Sequence, residues 1–331
     1  MLLGERYAPI LVHAHARSGS TLLLEMLGQD PKLWAAYEPL HDVRKLPPLH
    51  PETRKRRFRC RSSEDGEGDP LASSCPWRDA TLLLAFLACD MLPMTSSWHQ
   101  YFELDGHAGG YVPNRAAPWG SEWSPGSSSP SERTRQYLAQ GQACRQRSGT
   151  IAKTVRMNGD LDTIFRVART LEAKPPLVLH LVRGPLSVYA SRRNLSNPFG
   201  IPPTAFNGSL RSWSSGTCAA THRDVATGHA QAAGSYEMVT FLELLRRPRR
   251  LVNRIYARHL NRSVPRAVHE YISSHLKLGP LAGDESQSWE FKYGTSSRNI
   301  ERVHNRWREQ LKPWEVHQIQ LGCRSGHGVL F

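Results

Sequence analysis

The most constraining feature of the chain lies near its start. Pro9 to His15 (P-I-L-V-H-A-H) is a short apolar run of β-formers. Arg17 to Thr21 (R-S-G-S-T) follows as a loop of small residues, and Leu22 to Leu27 (L-L-L-E-M-L) reads as a helix that stops near Gly28 and Asp30-Pro31. Strand, tight loop and helix in this order open an α/β domain. In such a unit the backbone N–H groups of the loop converge at the helix N-terminus. There the helix dipole favours an anion by about 0.3–2 kcal/mol. Arg17 brings a forked, permanently charged donor set suited to phosphate or sulfate oxygens. Ser18, Ser20 and Thr21 bring hydroxyls, and Gly19 lets the backbone close on a ligand. An ordinary serine-rich helix cap has the same composition, so the loop alone leaves both readings open. It is not a G-x-x-x-x-G-K-[ST] loop, which argues against a P-loop kinase or NTPase.

The rest of the chain alternates in the same way. Thr150 to Arg156 and Pro176 to Val182 read as strands, the second being the clearest buried one. Leu161 to Leu171 and Leu186 to Arg193 read as helices. Tyr236 to Phe241 is a further strand candidate, and Pro248 opens a helix through about Leu260. Glu301 to Leu311 and Pro313 to Ile319 close the pattern. The expected fold is α/β: a P-loop-like three-layer sandwich with a mostly parallel central sheet flanked by helices, built as one domain over 1–331. Two irregular insertions, about 45–76 and 106–135, interrupt it.

Lys and Arg outnumber Asp and Glu by 43 to 29, a net charge of +14. This surplus suits acidic glycans, phosphorylated cofactors, nucleic acid or anionic membranes, and equally a solvated basic surface. No zinc finger, RRM or basic zipper pattern supports nucleic acid. Six cysteines allow 15 full pairings and contain no C-x-x-C, and no His/Cys/Asp cluster has metal-ligand spacing, so no metal is expected. N-x-[ST] sequons stand at Asn194, Asn207 and Asn261. No run reaches the ~18–20 apolar residues of a membrane span. Thr81 to Leu92 reads as a buried helix. The first strand begins almost at once, which leaves a cytosolic protein or a chain that has lost an N-terminal anchor.

A second loop carries matching chemistry. In L-H-L-V-R-G-P-L-S-V-Y-A-S-R, Arg183 stands where a buried strand ends, at the rim where open α/β sheets bind ligands. Ser191 lies eight residues on, facing back to that rim. The pair could hold a second phosphate, or Arg183 could simply leave the sheet for solvent.

Together these segments resemble the nucleotide-sulfate site of Golgi carbohydrate sulfotransferases, the galactose/N-acetylglucosamine/N-acetylgalactosamine 6-O group. R-S-G-S-T with Y-E-P-L some twenty residues on is similar to that family's 5′-phosphosulfate loop (15–22 here). V-R-G-P-L-S-V-Y-A-S-R is similar to its 3′-phosphate motif (181–192). Cys144 followed by I-A-K-T-V-R, then Y-E-M-V-T-F-L-E-L-L-R-R-P, then G-T-S-S-R-N-I-E-R-V-H-N-R-W-R-E-Q-L and E-V-H-Q-I-Q-L-G-C extend the likeness from about Ile10 to Cys323. The resemblance implies 3′-phosphoadenosine-5′-phosphosulfate (PAPS) as sulfate donor. It places Arg17, Ser18, Gly19, Ser20 and Thr21 on its 5′-phosphosulfate, Arg183 and Ser191 on its 3′-phosphate, and Arg298 over the nucleotide. Lys153 and Arg156 are weaker candidates for cofactor or acceptor contact. Glu38 is the expected catalytic base, with His41 second. The expected partner is a glycan or glycosaminoglycan acceptor rather than nucleic acid. The implied location is the Golgi lumen, although the family's membrane anchor is not in this sequence. The chain departs from the family in E-P-L-H-D-V for E-P-L-W-H-V, R-G-P-L for R-D-P-R, and F-L-E-L for Y-E-D-L. These departures leave a second expectation standing: a catalytically inactive nucleotide- or glycan-binding relative.

Overall fold

A computed structural model describes residues 8–36, 76–90, 139, 141–155, 157, 159–193, 209–276 and 300–324. Five strands form one sheet: β1 (Ile10–Ala14), β2 (Leu33–Ala36), β3 (Gly149–Thr154), β4 (Leu177–Val182) and β5 (Tyr236–Thr240). Their order is β2-β3-β1-β4-β5 and every pairing is parallel. The expected strands fall within a residue or two of their sequence positions. Leu33–Ala36 adds to these. It is a four-residue edge strand, too short to show a period.

Ten helices are described. They are α1 (Ser20–Gly28), α2 (Pro76–Leu87), α3 (Leu161–Thr170), α4 (Pro185–Arg193), α5 (Leu210–His229), α6 (Phe241–Arg246), α7 (Pro248–Ile255), α8 (Arg266–His275), α9 (Ile300–Gln310) and α10 (Pro313–Arg324). Phe241, expected to end a strand, begins α6 instead, because Thr240 caps that helix by accepting from the Glu243 amide. The helix read as running from Pro248 to Leu260 changes to π-helical winding at Tyr256 and ends on left-handed Asn261. The 20-residue α5 escaped the sequence pattern. Its interior is Gly, Ser, Thr and Ala, and its buried positions include Ser214, Thr217, Thr221 and Asp224, which blur any apolar stripe.

The alternation of each strand sends its side chains to two buried layers. Ile10, Val12, Ala14, Leu179 and Val239 join α1, α6, α7 and α8 on one face. Leu11, Ala152 and Val178 join α2 and α3 on the other. The three-layer, parallel α/β architecture expected from the sequence is present. A third, smaller cluster packs Val188 and Tyr189 of α4 against Trp213, Leu311 and Ile319. Gly322 of α10 approaches α5 so closely that a Cβ there would lie 2.4 Å from the Arg211 carbonyl oxygen. Cys218–Cys323 bonds the same two helices covalently, and Cys89–Cys144 ties the end of α2 to the segment before β3. Among the described residues, no helix is long and apolar enough to cross a membrane.

One polar network interrupts the α2/α3/α5 face. His13 and His180 are register partners on β1 and β4, both fully buried, with ring centroids 5.0 Å apart. His13 Nε2 donates to Asp224 Oδ2 of α5 at 2.8 Å. Asp224 also accepts from the amides of Gly159 (2.7 Å) and Leu161 (3.0 Å), capping α3 from another helix. His180 Nδ1 meets the Tyr236 hydroxyl at 3.0 Å. Burial pushes the His180 pKa down to about 3, with His13 and His15 adding to the effect and Asp224 opposing it. Burial would raise the Asp224 carboxyl, but the charge and hydrogen bond of His13 prevail and hold it below its usual value.

The sign of the acid response follows from the neutral His180 ring. An unfolded His takes up a proton below about pH 6.5, whereas the folded one resists until about 3. The stabilising contribution is therefore complete above 6.5 and lost as pH falls, at up to about 1.4 kcal/mol per unit. Denaturant titrations from pH 7 to 4 should show this slope, and His180→Phe should remove most of it. An unchanged slope in the variant would place the acid sensitivity elsewhere.

Candidate functional site

The parallel sheet brings the carboxyl ends of β1, β3 and β4 to one rim. After Ala14 the chain turns through His15–Ser18, closed by a Ser18 amide to His15 carbonyl bond of 3.2 Å. Arg17 (φ 71°) and Gly19 (φ 92°) both lie in the left-handed region, and α1 starts at Ser20. The N-cap residue of α1, Gly19, has no side chain to cap the helix, and the first turn holds no acidic residue. The Ser18 hydroxyl is buried with no hydrogen-bond partner among the described residues. Native structures seldom leave such groups unsatisfied, and a helix start beside a free hydroxyl is a geometry suited to an anion. Lys153, at the carboxyl half of β3, is buried and donates to Thr21 Oγ1 at 2.8 Å, adding a cation beneath the first turn.

The second motif folds directly onto this loop. Arg183, the first residue after β4, donates from Nη1 to the Arg17 carbonyl at 2.8 Å. Arg17 in turn donates from Nε to Ser191 Oγ of α4 at 3.2 Å. Residues 166 and 174 positions apart in sequence thus share one small surface. The guanidinium of Arg183 lies 4.2 Å above the Phe241 ring, and the same ring touches Gly19. Phe241 therefore wedges α6 between the two motifs. Its place in the F-L-E-L string was the only sequence signal for this role.

α9 closes the side of the site next to α4, where the Ser187 hydroxyl reaches the His304 carbonyl at 3.5 Å. Burial lowers the His304 pKa, and the charges of Arg246, Arg183 and Arg308 lower it further. The ring is neutral at physiological pH and sits within a concentrated positive field. His304 lay in the matched C-terminal string, without a side-chain pattern to mark it.

Of the residues singled out from sequence, Arg17, Ser18, Gly19, Ser20, Thr21, Lys153, Arg183 and Ser191 come together here. Glu38, His41, Arg156 and Arg298 lie outside the described residues. Among the described residues, His13, His180 and Asp224 alone have metal-ligand proximity. They form the hydrogen-bonded network of the α2/α3/α5 layer, on the sheet face opposite α1.

No protein-family model and no curated protein matches the chain. Solved structures with a similar course include the sulfotransferase domain from the Synechococcus PCC 7002 olefin synthase, at 18% identity and TM-score 0.48, covering 98% of this chain and 96% of that one. The sulfotransferase domain from the curacin biosynthetic pathway gives 15% and 0.45, covering 98% and 99%. Sulfotransferase STF9 from Mycobacterium avium gives 16% and 0.41, covering 93% and 77%.

Gly19 tests the loop. A Cβ at this position would stand 2.6 Å from the Phe241 ring, on a backbone that L-residues avoid. Gly19→Ala should cost about 2 kcal/mol in chemical denaturation. Full stability in the variant would show that the Phe241 contact is not required.

Proposed function

We propose that the chain is a sulfotransferase that moves a sulfuryl group from PAPS to a sugar hydroxyl, at the 6-O position of Gal, GlcNAc or GalNAc in a glycan chain. The observation that carries the reading is the convergence of two anion-adapted loops through Arg17. One offers an uncapped helix start and an orphan hydroxyl, the other Arg183 and Ser191. A donor with phosphate groups at both ends of a nucleoside needs two such loops on one rim.

PAPS, when bound, supplies an activated sulfuryl group whose sulfur–oxygen bond to the 5′-phosphate breaks as the acceptor oxygen attacks. The chain's residues then have separate tasks. Arg17, Lys153 and the first amides of α1 gather the charge left on the departing 5′-phosphate. Such preorganised donors contribute most where charge develops in the transition state. Arg183 and Ser191 hold the 3′-phosphate and so fix the position of the reacting end. Glu38 accepts the proton of the sugar hydroxyl, with His41 as the second candidate. No charge has to be created in the site, because the arginines are permanently ionised.

A luminal location fits the chemistry of the cysteines. Cys89–Cys144 and Cys218–Cys323 are bonds that persist in oxidising compartments. Asn261 of the N-R-S sequon is exposed at the left-handed end of the π-helical turn. Chain secreted from animal cells should lose mass on glycosidase treatment, and Asn261→Gln should remove part of that loss. An unglycosylated, reduced protein in its natural cell would exclude the lumen.

The deciding assay is transfer of labelled sulfate from PAPS to a panel of chondroitin, keratan-type and N-acetylglucosamine-terminated glycans. Arg17→Ala should lower turnover by about 100-fold or more. Arg183→Ala should weaken nucleotide binding by about 1.5–3 kcal/mol, read by calorimetry. Nucleotide binding without transfer to any acceptor would identify an inactive relative, and absence of both would remove the proposal.

A further inference from the structure

The arginines of this chain divide into two groups. Arg193 meets Glu315, Arg254 meets Glu237 and Glu243, Arg262 meets Asp30, and Arg266 meets Glu270. These are structural pairs. Arg246, Arg247, Arg249 and Arg250 are different: four of five consecutive residues, all exposed, with no ion pair among the described residues. Arg249 makes only a neutral contact, donating to Ser273 Oγ at 2.8 Å.

Their placement opposes local electrostatics. Arg249 and Arg250 occupy the first turn of α7, which contains no acidic residue. Cations there face the positive end of the helix dipole, an arrangement that costs stability unless an anion is supplied from outside. The arginines also connect two features. At one end, α6 starts at Phe241 against Gly19 and ends at Arg246, whose charge acts on His304 of the candidate site. At the other end, Arg249 lines an open groove of about 650 Å³ between α7 and α8, with Val264, Arg266, His269, Ser273, Ser274 and one carboxylate, Glu270, which is paired with Arg266. His269 Nδ1 is buried there with no hydrogen-bond partner.

We infer that Arg246–Arg250 and the α7–α8 groove form an extended binding surface for an acidic polysaccharide, leading away from the anion loops. The arginines match carboxylate and sulfate groups in a bidentate manner. The Ser273 and Ser274 hydroxyls, which donate to the backbone carbonyls of His269 and Glu270, keep acceptor capacity for sugar hydroxyls. The exposed large apolar residues among those described are Leu171, Met238 and Trp314, none of them on this surface. Among the described residues it therefore offers no aromatic platform for stacked bases and no apolar face for a membrane. Naming the polysaccharide an acceptor rests on the sulfuryl-transfer reading, whereas its binding does not.

The test is equilibrium binding of fluorescein-labelled chondroitin sulfate to the whole chain, beside neutral dextran, single-stranded DNA and anionic vesicles. Nucleotide binding is followed separately with 3′-phosphoadenosine 5′-phosphate. Arg247→Ala/Arg250→Ala should weaken chondroitin sulfate binding about tenfold, and Arg247→Glu/Arg250→Glu more. Arg247→Lys/Arg250→Lys, which keeps the charge but loses the forked donors, should fall between the parent and the alanine variant, at about threefold weaker binding, and all three should bind the nucleotide normally. The result that overturns the proposal is unchanged chondroitin sulfate binding in both charge-removing variants, or loss that appears only together with nucleotide binding. Equal or tighter binding of DNA or vesicles through the same arginines also overturns it. Nucleotide binding that fails in the parent chain removes the sulfuryl-transfer reading and leaves the polysaccharide surface to stand or fall on its own data.

Discussion

Parallel pairing of β1 along both of its edges is the constraint from which the site descends. β1 is hydrogen-bonded to β3 on one side and β4 on the other, in a register that aligns Val12 with Lys153 and His13 with His180. A sheet of this kind must be covered on both faces and must deliver its carboxyl ends to one rim. That geometry puts the Arg17–Thr21 loop in the middle, Lys153 on one flank and Arg183 on the other. Removing either neighbouring strand would leave the loop without one of its two flanking cations.

The layer behind the rim is held by polar as well as apolar contacts. Asp224 joins α5 to β1 through His13 and to the start of α3 through two amides. α5 is in turn locked to α10 by Gly322 and by Cys218–Cys323. α10 is pinned to α4 by Glu315, which accepts from Arg193 and from the Lys312 amide. α4 carries Ser191. A chain of specific contacts therefore runs from the buried histidine pair to a hydroxyl that orients Arg17. The buried histidines and Asp224 thus have a structural purpose distinct from the chemistry at the rim, and His13 Nδ1 is a buried atom of this network without a hydrogen-bond partner among the described residues.

Charge is sorted by location. Where arginines hold helices together, each has a carboxylate: Arg254 spans Glu237 and Glu243, and Arg262 meets Asp30, which also accepts from Tyr256 at 2.8 Å. Arg246, Arg247, Arg249 and Arg250 have no carboxylate partner among the described residues. A net charge of +14 is thus a solvated surplus only in part. Arg246, Arg183 and Arg308 act together on the His304 ring and lower its pKa beyond the effect of burial.

Much of this was readable from sequence, for physical reasons that differ by residue. The strand ending at Ala14, the R-S-G-S-T loop and the helix after it are specified locally. Apolar runs, small residues and a glycine at positive φ each have few alternatives, and the same holds for L-V-L-H-L-V followed by Arg183. The helix propensity of α5 was hidden, because its buried face is polar and its partners, His13 and α10, are supplied by distant parts of the chain. The pairing of Arg17 with Ser191, the wedge of Phe241, the partnership of Cys218 with Cys323 and the neutrality of His304 depend on which surfaces meet. A sequence lists donors and acceptors without their distances. The sequence by itself determined that two turns, one rich in small and hydroxyl residues and one led by an arginine, follow buried strands. Only the tertiary structure decided that they share one rim and touch through Arg17, because parallel strands must place their carboxyl ends together, whatever length of chain separates them.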